Sequence, residues 1–123
     1  MNTKQKIAFL LADYAVRVIA GRDYPILTEL PLIQSVTTAN AAFAASHDIF
    51  RTHTRKHSSY NTAYYAANTA SYAIHAKLNN KNATYLNNAY RALCINATLA
   101  AACNTTFYRV DIRALINIAI NEN

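Results

Sequence analysis

The chain contains only one glycine and two prolines among its 123 residues, and this scarcity of chain-breaking residues limits what it can fold into. Tight β-hairpins depend on glycine-containing turns, and strands are usually bounded by glycine and proline. Alanine, the residue with the highest helix propensity, is the commonest residue here. The sequence therefore predicts an all-α fold.

Apolar residues at helical spacing predict a first helix over about residues 3–20. Asp13 and Arg17 are expected to pair at i,i+4, and Gly21 is expected to cap the end of the helix. Its apolar contacts are expected to be Ile7, Leu10, Leu11, Tyr14 and Val18.

A second helix is expected to begin at Thr28, because Pro31 then falls in its first turn, where proline costs no hydrogen bond. Further helices are predicted over about residues 59–79, 83–103 and 106–121, with the turn sequence NNKN at 79–82. Alanines and one isoleucine on adjoining stripes of the third helix would let a neighbouring backbone approach closely: Ala63, Ala66, Ala67, Ala70, Ala73 and Ile74. These features predict one domain, residues 1–123, folded as an antiparallel bundle of four to five helices.

Residues 47–65, HDIFRTHTRKHSSYNTAYY, combine positive charge with aromatic rings in a chain whose formal net charge is +6. Arginine supplies paired donors to carboxylate or phosphate, and aromatic rings supply surfaces for stacking or docking. The expected partner is therefore an acidic protein surface or a phosphate-bearing ligand, nucleic acid or nucleotide. A solvated basic loop is the alternative, and the sequence leaves open whether 47–58 is helix or loop. The candidate binding residues are His47, Arg51, His53, Arg55, Lys56, His57, Tyr60 and Tyr64.

A second aromatic face is predicted along the third helix. It consists of Tyr65, Asn68, Tyr72 and His75. Tyrosine buries its ring while keeping a polar tip, so such a face can bind a ligand or can form a helix–helix interface or a homodimer seam.

Metal binding and catalysis find little support in the sequence. His53 and His57 have the i,i+4 spacing of two ligands on one helix face, but the neighbouring Arg51, Arg55 and Lys56 would repel a cation. We expect no metal and no other cofactor. With six acidic residues and no glycine-rich phosphate loop, a non-enzymatic protein is favoured.

Two short stretches resemble known families. Arg51 and His57, with THTRK between them, resemble the Arg-x(4 to 6)-His pattern of HEPN-type ribonucleases. That resemblance implies metal-independent RNA cleavage by a dimer, with Arg51 steadying the phosphate and His57 assisting proton transfer. Within residues 62–93, TAYYAANTASYAIHA and ATYLNNAYRAL resemble alanine-rich helical immunity proteins of bacteria and phage. This second resemblance implies a non-enzymatic binding protein.

The cysteine spacing and the hydropathy pattern predict a cytoplasmic protein without a membrane span. Cys94 and Cys103 are nine residues apart on one predicted helix, beyond disulfide reach, and the apolar run at 7–12 is too short to cross a bilayer. The leading hypothesis is a small binding or inhibitor protein, of the immunity or phage counter-defence type, that docks an acidic partner. The alternatives are a nucleic-acid or nucleotide binder using the same surface and a HEPN-like ribonuclease.

Overall fold

The computed structural model describes residues 3–52, 59–79 and 81–103, and these form packed helices. The long helices are α1 (Thr3–Asp13), α3 (Val36–Thr52), α4 (Ser59–Leu78) and α5 (Ala83–Cys103). A π-helical segment (Tyr14–Ala20) continues α1 into the short α2 (Gly21–Asp23), and a 3-10 turn (Pro25–Glu29) follows. The all-α prediction is confirmed, and the described ranges contain no strand.

Helix α4 lies at the centre of the bundle. It packs against α1, the π segment, α3 and α5, and its most extensive interface is with α5. The short turn between Leu78 and Ala83 makes α4 and α5 an antiparallel hairpin, as the sequence NNKN predicts. The hairpin turn is closed at α5 by Asn82, whose side-chain oxygen accepts the backbone N–H of Tyr85 at 3.0 Å.

The core of the bundle is built largely from alanine. The expected stripe on α4 is confirmed at its alanines, since these and Ala76 are at most 1% exposed: Ala63, Ala66, Ala67, Ala70, Ala73 and Ala76. Alanines also line the buried sides of α1 and α5, with Leu11, Val16 and Leu93 among the larger core residues. Because the alanine side chain is short, neighbouring helix backbones can approach closely. The many dispersion contacts between them then stabilise the core, as larger side chains do in other bundles.

The first helix agrees with its prediction at Ile7, Leu11 and Tyr14, which lie in or pack against the core, and differs from it at Val18 and in length. Ala8, Ala12 and Ala15 are buried, whereas Val18, expected to be a core contact, is 42% exposed. Gly21 does not end the helix. It has right-handed helical angles, φ −62° and ψ −21°, and its N–H donates to the carbonyl of Val16 at the close of the π segment.

Glycine at position 21 is explained by space rather than by backbone freedom. A Cβ atom built there would lie 2.8 Å from the Cγ2 methyl of Thr28. Real Cβ atoms do not approach another carbon so closely, so the missing side chain lets the 3-10 turn pack directly against the end of the helix.

The predicted start of the second helix at Thr28 is wrong. Residues 25–29 form the 3-10 turn, in which the Thr28 hydroxyl donates to the carbonyl of Pro25 at 2.6 Å, and an irregular segment follows to Ser35. Helix α3 begins at Val36 instead. Leu32 and Ile33, expected on the helix, lie in the irregular segment, where Ile33 is only 3% exposed and contributes to the core.

A reciprocal cap fixes the true start of α3. The Ser35 hydroxyl accepts the backbone N–H of Thr38 at 3.3 Å, and the Thr38 hydroxyl oxygen accepts the backbone N–H groups of Ser35 and Gln34 at 3.0 and 2.9 Å. Such bonds satisfy donors that a helix start leaves unpaired. Ser35 and Thr38, rather than Thr28, therefore cap the N-terminus of this helix.

Helix α3 continues through Thr52, so the first part of the basic segment is helical. Residues 53–58 and the predicted helix over 106–121 lie outside the described residues. Within the described ranges, no helix combines the length and the apolar character needed to cross a membrane.

Candidate functional site

The described part of the predicted binding surface lies where α3 ends and α4 begins. His47 and Arg51 are one turn apart on α3, as the i,i+4 spacing predicts, and Tyr60 and Tyr64 belong to α4. Arg51 is exposed, His47 is half-buried, and the ring of Tyr64 is 37% exposed. The other four predicted residues, His53, Arg55, Lys56 and His57, lie outside the described residues.

Five rings make a continuous series across the two helices, which we call the aromatic ladder: Phe43, His47, Phe50, Tyr64 and Tyr65. Phe43 and His47 are stacked with centroids 5.3 Å apart, and the His47 and Phe50 centroids are 6.1 Å apart. Phe50 and Tyr64 cross from α3 to α4 at 4.7 Å, and Tyr64 meets Tyr65 edge-on at 5.3 Å. Each ring is therefore held by a neighbour before any partner binds.

The charge around the aromatic ladder is one-sided. Asp48 is exposed on α3, but no Asp or Glu follows it in the sequence until Asp111. The same stretch contains Arg51, Arg55 and Lys56. Arg17 and Asp13 form an ion pair on the first helix, at 3.1 Å. The sequence from 49 to 110 thus contains basic residues and no acid, which favours an anionic partner.

The second predicted face divides into buried and open parts. Tyr65 packs against Ile19, Ala100 and Ala101, and Asn68 donates through Nδ2 to the Oδ1 atom of Asn96 at 3.2 Å. These two positions thus serve contacts between helices, which is the structural alternative that the sequence left open.

The open part of this face, Tyr72 and His75, joins residues of α5 that the sequence analysis missed. His75 Nδ1 lies 3.1 Å from the hydroxyl of Tyr85, within hydrogen-bond distance. Tyr72, Tyr85 and Asn88 line a groove of about 270 Å³ that has Ala89 and Ala92 as its other walls. Tyr85 and Asn88 could have been found only by aligning the two arms of the predicted α4–α5 hairpin.

The described residues do not include both members of the predicted Arg51 and His57 pair, and they form no metal-binding cluster. Arg51 is exposed on α3, but its proposed catalytic partner His57 lies outside the described residues. Over 3–52, 59–79 and 81–103, no three His, Cys, Asp or Glu side chains cluster closely enough to hold a metal ion.

The two cysteines are separate thiols on α5, in agreement with the spacing argument. Burial raises the pKa of both the Cys94 and the Cys103 thiol. A raised pKa disfavours the thiolate, the reactive form of cysteine. Burial therefore favours the neutral thiol over the thiolate at both positions.

Comparison of the chain with protein-family models, with curated proteins and with solved structures found no match. The resemblances to immunity proteins and to HEPN ribonucleases stay predictions from short sequence patterns. Function has to be argued from the two surfaces described above.

Proposed function

We propose that this protein is a non-catalytic binding protein that docks an acidic surface of a partner protein. The docking surface would be the aromatic ladder together with Arg51 and the basic residues that follow it in the sequence. The observation that carries the proposal is the fixed series of partly exposed rings across α3 and α4, together with the exposed Arg51 on α3. Aromatic residues and arginine are enriched in the energetically important centres of protein interfaces.

Ring geometry favours a protein partner over nucleic acid at this surface. Binding of unpaired bases depends on open ring faces, on which the bases stack. In the aromatic ladder, Phe43 and His47 already stack on each other with planes 21° apart, and Phe50 and Tyr64 are 4.7 Å apart. One face of Phe43 and one face of His47 are therefore already covered by the neighbouring ring. Such a surface suits the side chains of a protein partner.

Pre-organisation supports the same proposal. Rings held by neighbours lose little rotational freedom on binding, and this reduces the entropic cost of association. Charge complementarity then raises the association rate and selects acidic partners. Neither contribution requires a catalytic group.

The test begins with affinity purification from the native host, followed by measurement of the purified partner's affinity by calorimetry. Arg51→Glu reverses an exposed charge at the proposed surface, and Arg22→Glu reverses an exposed charge on α2. Both variants have the same net charge. We expect Arg51→Glu to weaken binding about tenfold or more, because it places like charges together, and Arg22→Glu to change it little.

Three results would contradict the proposal. Equal affinities of the two variants would show that the surface is not where the partner docks. Binding to unrelated nucleic acids with a steep log-linear salt dependence, and to no protein, would favour the nucleic-acid alternative. RNA cleavage that is lost in His57→Ala would favour the ribonuclease alternative instead.

A further inference from the structure

The groove between α4 and α5, which we call the hairpin groove, has features that the proposed docking function does not use. It is lined by Tyr72 from α4 and by Tyr85, Asn88, Ala89 and Ala92 from α5. Its volume of about 270 Å³ is slightly below the range of pockets that hold drug-sized ligands. The groove is therefore large enough for a small ring system but too small for a bulky ligand.

The walls of the hairpin groove suit a flat ring. His75 contacts both tyrosines, with its centroid 6.2 Å from that of Tyr72 and 6.3 Å from that of Tyr85, and the groove is lined by the two tyrosines rather than by His75. These distances are longer than the 4.7 Å contact in the aromatic ladder, and the tyrosines both face the groove. Ala89 and Ala92 project no long side chain into it. A planar ligand could thus contact a tyrosine ring without displacing bulky groups.

Asn88 supplies the polar specificity of the hairpin groove. It is exposed, and no hydrogen bond of its side chain to another described residue is recorded. Its amide carries both a donor and an acceptor, and this pair matches the edge of a nucleobase such as adenine. On the opposite side, the hydrogen bond between Tyr85 and His75 holds the phenol ring in place.

A second opening lies at the α4–α5 turn. Leu78, Asn79, Lys81 and Asn82 line this opening of about 350 Å³. Asn82 accepts the backbone N–H of Tyr85, so a residue of this opening lies within one helical turn of a residue that lines the hairpin groove. From Ser59 to Cys103 the sequence has Lys77, Lys81 and Arg91 but no Asp or Glu. An anionic group attached to the ring would meet positive charge there.

From these observations we infer that the hairpin groove binds a nucleotide unit, with the base against Tyr72 and Tyr85, its edge on Asn88, and a phosphate towards Lys81. This chemistry is shared by a free mononucleotide and by one unit of a single-stranded nucleic acid. The inference does not depend on the aromatic ladder, since none of its five residues lines either opening.

Nuclear magnetic resonance of the full ¹⁵N-labelled chain can locate the ligand. Adenosine, the four ribonucleoside 5′-monophosphates and base-free ribose 5-phosphate serve as probes. We expect nucleotides to shift the backbone resonances of Tyr85, Ala89 and Ala92, and ribose 5-phosphate to leave them unchanged. Short single-stranded oligonucleotides distinguish a free mononucleotide from a unit of single-stranded nucleic acid. If oligonucleotides shift the same residues and bind more tightly than mononucleotides, the natural ligand is a single-stranded nucleic acid.

Matched variants test the two halves of the site by calorimetry. Asn88→Ala should weaken nucleotide binding about tenfold, the effect of losing a paired contact to a base edge, whereas Asn87→Ala on the neighbouring exposed position should not. Lys81→Gln should weaken binding of nucleotides but not of adenosine. Arg22→Gln, which removes the same charge from α2, controls for net charge.

The inference is overturned if millimolar nucleotides or oligonucleotides leave the groove resonances unchanged. It is also overturned if ribose 5-phosphate binds as well as the nucleotides, or if the Asn88 and Asn87 variants behave alike while retaining native circular dichroism. These results leave the docking proposal untouched, because its variants lie on other elements.

Discussion

The carboxylate of Asp13 accepts the backbone N–H of Ile33 at 3.1 Å, joining two residues that are twenty positions apart in the sequence. The same carboxylate pairs with Arg17 at 3.1 Å, and Asp13 is only 7% exposed. A buried acid thus anchors the irregular segment before α3 to the first helix. The i,i+4 spacing predicts the ion pair with Arg17, but it does not predict the hydrogen bond to Ile33.

Removing the Asp13 carboxylate is expected to destabilise the protein. Asp13→Ala leaves the buried N–H of Ile33 without its acceptor, at a cost of about 2 kcal/mol in the free energy of unfolding. Asp13→Asn keeps an acceptor oxygen and loses the charge, so its effect should be smaller. Urea denaturation measures both, with exposed Asp48→Ala as the control. Equal losses in Asp13→Ala and Asp48→Ala would show that the Ile33 contact contributes nothing.

Gly21→Ala tests the close approach of the 3-10 turn. Gly21 is in a helical conformation. If there were space for a side chain, alanine would therefore raise the free energy of unfolding by about 0.5–1 kcal/mol. The new Cβ would instead collide with the Cγ2 methyl of Thr28, and we expect a net loss of about 1 kcal/mol.

Thr28→Ser provides the matched background for this test, because serine keeps the hydroxyl that bonds to Pro25 and lacks the methyl group. In that background Gly21→Ala should become neutral or stabilising in thermal or urea unfolding. Destabilisation of the same size in both backgrounds would mean that the methyl group is not the obstacle.

The hydroxyl of Tyr90 is buried without a recorded hydrogen-bond partner, and burial raises the pKa of the phenol. Tyr90→Phe removes an unsatisfied polar atom, so the free energy of unfolding should stay the same or rise by up to about 1 kcal/mol. The contact between the Lys4 ammonium and the ring, at 5.9 Å, can be kept by phenylalanine.

Alkaline pH gives a second measurement on Tyr90. Because the folded-state pKa is raised, the unfolded chain releases the phenolic proton first as pH rises above its ordinary value of about 10. Ionisation of this phenol therefore leaves the free energy of unfolding unchanged below that pH and lowers it above that pH. The two pH values to compare, about 8 and about 10.5, lie on either side of the ordinary phenol pKa. The decrease in the free energy of unfolding between them should be smaller in Tyr90→Phe than in the wild type. Identical pH profiles would contradict this assignment.

The amide pair Asn68 and Asn96 is expected to couple α4 to α5. Asn96 accepts from Asn68 while its own Nδ2 donates to the carbonyl of Ala92 at 2.8 Å, so its orientation is fixed. A double-mutant cycle with alanine at both positions should give a coupling free energy of about 1 kcal/mol. The same cycle with Asn68 and the exposed Asn87 should give none. Equal coupling in both cycles would contradict a direct bond.

The sequence predicts the α4–α5 hairpin well and the region before α3 poorly. Helix propensity and the NNKN turn locate α4 and α5 within about a residue of their observed ends. Thr28 with Pro31 and Ser35 with Thr38 are both plausible helix starts by local chemistry. The choice between them depends on Asp13 and Gly21, which hold residues 25–33 against a distant helix. No local pattern contains that information.

The burial of Ala8, Ala12 and Ala15 and the exposure of Val18 were missed for a related reason. Apolar patterns give weight to large residues such as Val18, but the alanines of α4 need a neighbour that is also small. The hairpin groove escaped prediction because Tyr72 and Asn88 become neighbours only through the pairing of two helices. The residues at 53–58, which carry most of the predicted basic surface, lie outside the described residues, so their roles stay predictions.

The alanine stripe of α4 has a consequence for how two binding events would influence each other. Tyr64 of the aromatic ladder and Tyr72 of the hairpin groove are eight residues apart on this helix, or about 12 Å along its axis. A helix in such close backbone contact cannot rotate or slide alone without forcing its neighbours apart. We therefore expect no communication between the two surfaces: their binding free energies should add, and occupation of one should leave the affinity of the other unchanged.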